Sequence, residues 1–221
     1  VPAAFAGECM CRGMLLQHIV AGPLPVESFL ERLQISGRAA TANEPTGTSP
    51  TALFDARQYN GFNLLSGDLA GGGGIYWHSN RAPKQIPHRL VSGVYGLSNH
   101  LLDTPWPKVV SGRTAFAQLV TKSRTADAAA WSRSPDEFFE LLADSAVAPD
   151  DALPDTGVGL DKERFLSSRF IQSDVYGTRA SSVLLVRRDG LLTFFERRFE
   201  VGGAAVGDSR YEFQIDGTDA A

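Results

Sequence analysis

Two polar residues stand beside apolar, strand-like sequence, and both have the chemistry that acyl-transfer sites use. Asn99 closes the stretch GLSN, and an amide at the end of a strand can donate its N–H groups to a developing oxyanion. Arg179 closes YGTR, where a second strand-like run begins, and a guanidinium there can bind a carboxylate or orient a nucleophile. The two residues are therefore candidate catalytic groups, one for an oxyanion and one for orientation.

Each of these residues also has a structural alternative. Asn99 precedes apolar residues that predict the start of a helix, and it could cap that helix. Arg179 could form an ion pair with an acid at the edge of the core, such as Asp174. Residue type by itself does not separate the two roles.

The other reactive side chains are scattered along the chain. None of the histidines stands in the spacing of a zinc protease or a zinc finger; they are His18, His78, His88 and His100. Cys9 and Cys11 could hold a soft metal together with His18, or they could be two thiols in an irregular tail over residues 1–11. The glycine run at 71–74 lacks the ending of a P-loop and leads into a strand, which favours a turn. We therefore predict no metal site.

Composition limits the class of protein. A chain of 221 residues that is 43% hydrophobic can bury the core of a single domain over residues 1–221. The net charge of −4 argues against a nucleic-acid partner. No apolar run is long enough to cross a membrane, and the two cysteines are too few for a disulfide framework. A cytoplasmic location is the resulting expectation.

Periodicity and composition predict four helices, one insertion and one loop. Apolar spacing predicts helices over 13–22 and 25–33, and a small, polar composition predicts a mobile insertion over 35–58. Further helices are predicted over 111–123 and 134–147. The second of these carries a capping box made by Ser134 and Glu137, with Pro135 in the first turn. Residues 148–164 are predicted to be a loop.

Strands are predicted before and after these helices. Residues 60–69 and 75–80 form an expected antiparallel pair around the glycine run, and the strand-like run 93–99 follows. Residues 176–200 form an expected hairpin around Asp189-Gly190, and 210–215 form a last strand. Strands, then helices, then strands predict an α+β fold of mainly antiparallel strands.

Five separated motifs resemble a known family. They are YNGFNLLSGDL (59–69), a strand ending in SNR (79–81), GVYGLSNHLLDTPWPKV (93–109), DVYGTRASSVLLV (174–186) and RYEF (210–213). In this order they resemble the NRDE family, also called the transport and Golgi organisation protein family. The resemblance spans nearly the whole chain apart from the predicted insertion, and residues 12–33 are similar to a helix of the same family.

The resemblance also indicates what the sequence lacks. Members of the family begin with Met-Cys and a hydrophobic strand, followed by the Asn-Arg-Asp-Glu stretch and a Gly-Gly-Thr-Trp segment. None of these occurs in this sequence. We therefore expect an NRDE domain that is truncated at its amino end.

The NRDE family is itself similar to amino-terminal-nucleophile hydrolases of the choloylglycine hydrolase group, whose fold is a four-layer αββα sandwich. For this chain the similarity implies an incomplete αββα sandwich that lacks its first strands. It implies that Asn99 matches the oxyanion Asn of those enzymes and Arg179 their late Arg, while the nucleophile is absent. It implies ligand-binding roles for Asn63, Asn80, Arg81 and Trp106.

Two functions follow from the resemblance. The first is a binding or trafficking role for a small amphipathic ligand, either haem as a cargo or a molecule of the acyl-CoA or lipid type, with no cofactor. The alternative is an amidase-like or thioesterase-like hydrolase with an amino-terminal cysteine nucleophile, inactive in this chain because that nucleophile is missing. Neither function involves a nucleic acid or a membrane span.

Overall fold

The computed structural model describes residues 59–68, 74–83, 86–123 and 134–215. Strands and helices in this part of the chain confirm the predicted α+β class, with antiparallel sheets. The chain divides into two compact units. The described residues up to 93, with 99–101, belong to the first, and 94–98 with the described residues from 102 onward belong to the second. The tail over 1–11, the helices over 13–22 and 25–33 and the insertion over 35–58 lie outside the described residues.

The first unit contains a three-stranded antiparallel sheet. Its strands are β1 (Asn63–Asp68), β2 (Gly74–Ser79) and β3 (His88–Leu90), in the order β1-β2-β3. Aromatic and branched residues favour these strands. The register pairs Leu64 with His78 on one face and Leu65 with Trp77 on the other. The predicted β1–β2 pair is confirmed, whereas residues 93–99 are irregular and not the predicted strand-like run.

The second unit contains three helices and three strands among its described residues. The helices are α1 (Pro107–Ser123), α2 (Asp136–Leu142) and α3 (Leu160–Phe165), and a short 3₁₀ turn covers Asp150–Ala152. The strands are β4 (Ala180–Val186), β5 (Leu191–Phe199) and β6 (Ala205–Gln214), which form an antiparallel sheet in the order β4-β5-β6.

Helix α1 begins four residues before the predicted start at 111. The amides of Val109 and Val110 both donate to the carbonyl of Trp106, at 2.9 and 3.0 Å, so the helix starts directly after this residue. Pro107 takes the first helical position, where its missing N–H costs nothing because that group has no partner within a helix. The ammonium of Lys108 then donates to the carbonyl of Leu166 at 2.7 Å, which fixes the start of α1 against the chain that follows α3.

Helix α2 is much shorter than the predicted 134–147, and its predicted capping box does not form. Pro135 is the residue before the helix, and no side chain caps it. The hydroxyl of Ser134 instead contacts the carboxylate of Asp136 at 2.5 Å. The helix ends at Leu142, since the amide of Ala146 donates to the carboxylate of Asp144 at 2.9 Å and not to the carbonyl of Leu142, as a longer helix would require.

Helix α3 occupies the last residues of the region 148–164, which was predicted to be a loop, and ends one residue beyond it. Gly159 precedes it with φ of 89°, and the amide of Glu163 donates to the Gly159 carbonyl at 3.0 Å. Glu163 is buried and accepts both the amide and the hydroxyl of Thr156, at 2.7 and 2.6 Å. The contact between Thr156 and Glu163 stabilises this helix of 6 residues, although its composition is typical of a loop.

The predicted hairpin between β4 and β5 is confirmed. The amide of Arg187 donates to the carbonyl of Leu191 at 2.9 Å, and Gly190 has φ of 80°. A left-handed residue at the third loop position is typical of three-residue hairpin loops, and glycine adopts it without steric cost. The strand predicted over 210–215 is also confirmed, but β6 begins earlier, at Ala205, after a tight loop in which Gly202 and Gly203 both have positive φ.

The core of the second unit lies between its helices and one face of its sheet. Phe138 and Phe139 of α2 pack with Val183 of β4 and Phe195 of β5, and all four are buried. Phe195 and Val183 are direct register partners, so the four side chains form one contiguous cluster. Burial of such side chains contributes about 1.5–3 kcal/mol each.

Arg169 joins three parts of the second unit. Its guanidinium donates to the hydroxyl of Ser111 at 2.7 Å and to the carbonyl of Leu141 at 3.1 Å, and it forms an ion pair with Asp144. A Cβ at Gly112 would lie 3.3 Å from the Arg169 side chain, so the glycine leaves room for the arginine to pass α1. Arg169 therefore connects α1 to the end of α2.

Replacing Arg169 by leucine should lower the free energy of unfolding of the second unit by about 2–4 kcal/mol, because the side chain is only 16% exposed and its loss leaves the partly buried Asp144 without its countercharge. The matched control is Arg187→Leu in the exposed hairpin, which should change stability by no more than about 0.5 kcal/mol. Urea unfolding followed by circular dichroism measures both, and equal midpoints would contradict the role of Arg169.

Candidate functional site

Asn63 lies at the centre of a small polar network in the first unit. Its side-chain oxygen accepts the indole N–H of Trp77 at 3.0 Å, and its side-chain amide donates to the carbonyl of His100 at 2.8 Å. The network holds residues 99–101 beside β1. The structure thus brings Asn63 close to the segment that contains Asn99, although both ends of the Asn63 amide are already used by the protein itself.

Asn80 is 7% exposed and hydrogen-bonds the main chain. Its side-chain oxygen accepts the amide of Phe62 at 2.9 Å, and its amide donates to the carbonyls of Tyr59 and Asn60 at 3.2 and 3.3 Å. These bonds shape the chain just before β1. A ligand-binding role for Asn80 stays a prediction, and the contacts observed are structural.

Arg81 follows directly and packs against the same turn. The side chain of Arg81 passes close to Gly61. A Cβ added at Gly61 would lie 2.9 Å from the Nε of Arg81, so a larger residue at this position would require the arginine to move. The residue itself is exposed. Arg81 therefore keeps an accessible positive charge beside the start of β1.

Asn99 is exposed and does not precede a helix. The residues after it form bends and a turn up to 103, and α1 starts only at Pro107. The alternative in which Asn99 caps a following helix is therefore wrong. Its role towards an oxyanion stays a prediction.

Trp106 and Arg179 belong to the second unit. Trp106 accepts the first amides of α1 through its carbonyl, and the ammonium of Lys108 lies 5.9 Å from its ring centre. Arg179 is exposed just before β4, and its carbonyl accepts the amide of Phe199 at 2.9 Å. Asn99 belongs to the first unit, and its joint catalytic role with Arg179 remains a prediction.

The loop before α1 is closed by Asp103. Its carboxylate accepts the amide of Gly96 at 2.7 Å, while its own amide donates to the carbonyl of Gly96 at 2.8 Å. Asp103 has φ of 57°, a left-handed conformation that aspartate tolerates better than most residues. An ion pair with Arg113 of α1 at 3.3 Å completes the closure. The sequence pattern predicted no role for Asp103, because its role depends on the two hydrogen bonds with Gly96 in the folded chain.

Among the described residues of the first unit, His78 and Tyr59 are the most deeply buried side chains that carry a polar group, each at 1% exposure. The ring of His78 lies 5.9 Å from that of Phe62, which in turn contacts Tyr59 edge-on at 6.3 Å. Within the ranges 59–68, 74–83, 86–123 and 134–215, neither ring nitrogen of His78 nor the hydroxyl of Tyr59 has a hydrogen-bond partner. Burial lowers the pKa of His78 below its usual 6.5 and raises the pKa of Tyr59 above 10.0.

The second unit contains a cavity that pattern reasoning missed. It has a volume of about 260 Å³ and lies between α1, α2 and β4. Its walls include Phe116 and Val120 of α1, Leu141 and Leu142 of α2, and Ser182 of β4, and Ser182 is the polar exception among its described lining residues. The spacing of Phe116 and Val120, one helical turn apart, was the available signal, but such a stripe is equally typical of a packed core.

The described part of the chain contains no group of three or more histidine, cysteine, aspartate or glutamate side chains that could hold a metal ion. Cys9, Cys11 and His18 lie outside that part. None of the described helices is long and apolar enough to span a membrane.

The burial of His78 makes the stability of the first unit depend on pH. Its pKa is lowered in the folded state, so an unfolded chain takes up a proton below about pH 6.5 that the folded chain does not. We expect the stability to be fully present above this pH and to fall on acidification by up to about 1.4 kcal/mol per pH unit. Native-state hydrogen exchange of the β1 and β2 amides between pH 5 and pH 7, roughly the range in which an ordinary histidine titrates, measures the effect.

The variant His78→Phe should remove this pH dependence, because it keeps an aromatic ring and loses the titrating group. The matched control is His88→Phe on β3, an exposed position, which should keep it. An acid dependence that survives in His78→Phe would assign the effect to other groups.

Comparison with known proteins places the chain in a family. Its residues 7–201 match the family described as Transport and Golgi organisation 2. The Homo sapiens protein named Transport and Golgi organization protein 2 homolog is 31% identical over 215 residues, which is 92% of this chain and 68% of the relative. The Mus musculus Transport and Golgi organization 2 homolog is 29% identical over 195 residues, covering 84% of this chain and 61% of the relative.

A Bos taurus protein with the same name as the human relative is 38% identical over 149 residues, which is 63% of this chain. The match spans about half of that relative, 51% of its length. Because the family match covers most of the chain, the predicted family resemblance is confirmed, and the chain belongs to the Transport and Golgi organisation 2 family, TANGO2.

Proposed function

We propose that the chain is part of a non-catalytic binding protein that carries an amphipathic ligand and holds the apolar portion of that ligand between α1, α2 and β4. The observation that supports this proposal is the apolar cavity of about 260 Å³ in the second unit. Ligand pockets are typically lined by hydrophobic side chains with a few polar groups. This cavity has that composition, since eight of its nine described lining residues are apolar and Ser182 is the exception.

The volume of the cavity favours a slender ligand. An apolar cavity of about 150 Å³ holds benzene, so the same scale gives about ten carbon atoms for this cavity. An acyl chain of medium length has this size. A haem macrocycle, with roughly thirty carbon atoms, is several times too large on that scale. Among the ligands considered from the sequence, the acyl-CoA or lipid type is therefore preferred to haem for this cavity.

The names of the relatives also favour binding over hydrolysis. They carry the words transport and Golgi organization, which suits a carrier better than a hydrolase.

The proposal predicts that filling the cavity abolishes acyl binding. Val120→Phe adds bulk to the cavity wall, and it should weaken binding of decanoyl-CoA at least tenfold in isothermal titration calorimetry, because the acyl chain and the new ring compete for one volume. Val110→Phe is the matched control, since Val110 lies on the same helix and is 50% exposed. It should bind as the unsubstituted chain does.

Circular dichroism melting of both variants separates loss of binding from loss of fold, because overpacking costs about 1–3 kcal/mol. Haemin is titrated in parallel. Absence of decanoyl-CoA binding by the unsubstituted chain, or equal binding by both variants, would contradict the proposal. If the unsubstituted chain binds haemin and Val120→Phe does not, haem and not an acyl chain would be the ligand of this cavity.

A further inference from the structure

Strand β6 is an edge of the sheet in the second unit. It pairs with β5, and no strand from the described residues pairs with its other side. It is also the longest strand described, with 10 residues, and most of its side chains are exposed. A long edge strand is a template for pairing with another chain unless its side chains prevent it.

The backbone pattern shows which residues point outward from this edge. The amide of Ile215 donates to the carbonyl of Gly190 at 3.0 Å, and these residues continue the register that pairs Leu191 with Gln214. Backbone groups in an antiparallel pair alternate between the two sides of a strand. The odd-numbered residues of β6 therefore bond to β5, and the even-numbered residues, among them Arg210 and Glu212, direct their backbone groups to the outer edge.

The charges on β6 are self-complementary in one register. Arg210 and Glu212 lie two residues apart, and their side chains contact each other at 2.6 Å. If β6 pairs antiparallel with the same strand of a second copy, and the pairing is centred on Tyr211, each Arg210 stands directly opposite a Glu212. Pairing centred on Arg210 would oppose like charges, and such pairs destabilise a sheet.

A third register, centred on Ser209, would place Arg210 opposite Asp208. That carboxylate is already held by Arg197 through two hydrogen bonds of 3.0 and 2.8 Å. The neighbouring guanidinium also lowers the pKa of Asp208, as expected for a carboxylate committed to an ion pair. Glu212 accepts a single hydrogen bond from Arg210 of its own strand, so it is less firmly held than Asp208, and the charges select the register centred on Tyr211.

The apolar side chains agree with the same register. Leu184, Phe194 and Tyr211 form one row across the three strands, on the face opposite the helices, and the rings of Phe194 and Tyr211 lie 6.3 Å apart. Tyr211 is 54% exposed. Pairing at Tyr211 places the two tyrosines side by side, and it joins the rows of the two copies into one.

We propose that a second copy of this chain docks on the outer edge of β6 by antiparallel pairing centred on Tyr211, giving a six-stranded sheet with a two-fold axis. The contact consists of one strand pair, so it buries less surface than the roughly 800 Å² per partner of a standard interface. The association is therefore weak, depends on protein concentration and weakens with salt, because its specificity comes from two exposed charge pairs.

Sedimentation velocity over about two decades of micromolar concentration tests the proposal. Arg210→Glu should raise the dimer dissociation constant at least tenfold, because it places glutamates opposite each other. The double variant Arg210→Glu with Glu212→Arg restores opposite charges in the same register and should return the constant to within about threefold of the unsubstituted chain. Arg188→Glu makes the same charge change at an exposed hairpin position and should leave it unchanged.

Circular dichroism melting confirms that each variant is folded. A chain that stays monomeric over the whole concentration range would overturn the proposal. So would self-association that is insensitive to Arg210→Glu, since that result assigns the contact to another surface, such as the edge of β4. A folded double variant that fails to recover dimerisation would reject the register.

Discussion

Burial of two adjacent phenylalanines of α2 against the β4–β5 hairpin is the contact on which the second unit depends. Phe138 and Phe139 belong to a helix of 7 residues, and a helix of that length is not stable by itself in water. Its stability must come from the sheet, where Val183 and Phe195 complete the buried cluster. The hairpin in turn needs this cover, because a two- or three-stranded sheet without a packed face is marginal.

The charged residues around this cluster follow from the same packing. Arg197 of β5 lies 4.4 Å from the ring centre of Phe139 and forms ion pairs with Asp208 and, at 3.7 Å, with Asp136. It therefore connects α2, β5 and β6. The cavity between α1, α2 and β4 adjoins this cluster, since Phe138 and Val183 also line it.

The first unit is organised by side-chain amides. Asn63 connects Trp77 to the carbonyl of His100, and Asn80 closes the chain before β1. Amides suit this purpose because one side chain both donates and accepts. The same sequence motifs that indicated a binding site therefore have a demonstrated structural role, and a motif shared within a family can reflect the architecture of its fold as much as its chemistry.

Local sequence determined β1, β2, β4 and β5, although it wrongly predicted a strand-like run at 93–99 and did not predict β3. Alternating apolar residues and Asp189-Gly190 were sufficient for the β4–β5 hairpin, and aromatic runs were sufficient for β1 and β2, because turn chemistry and side-chain alternation act over a few residues. The family could be recognised from five ordered motifs for the same reason, as each motif is a short and contiguous string.

Tertiary contacts decided the rest. Helix α3 depends on the buried Glu163 and its bonds to Thr156, and α2 ends where Asp144 is engaged by Arg169 and Phe170. The contacts of Arg169 and the ion pair of Asp103 each connect residues of different elements. The cavity beside Val120 is likewise lined by three different elements. Sequence periodicity records which face of an element is apolar, but not which partner covers it, so only the folded chain shows these arrangements.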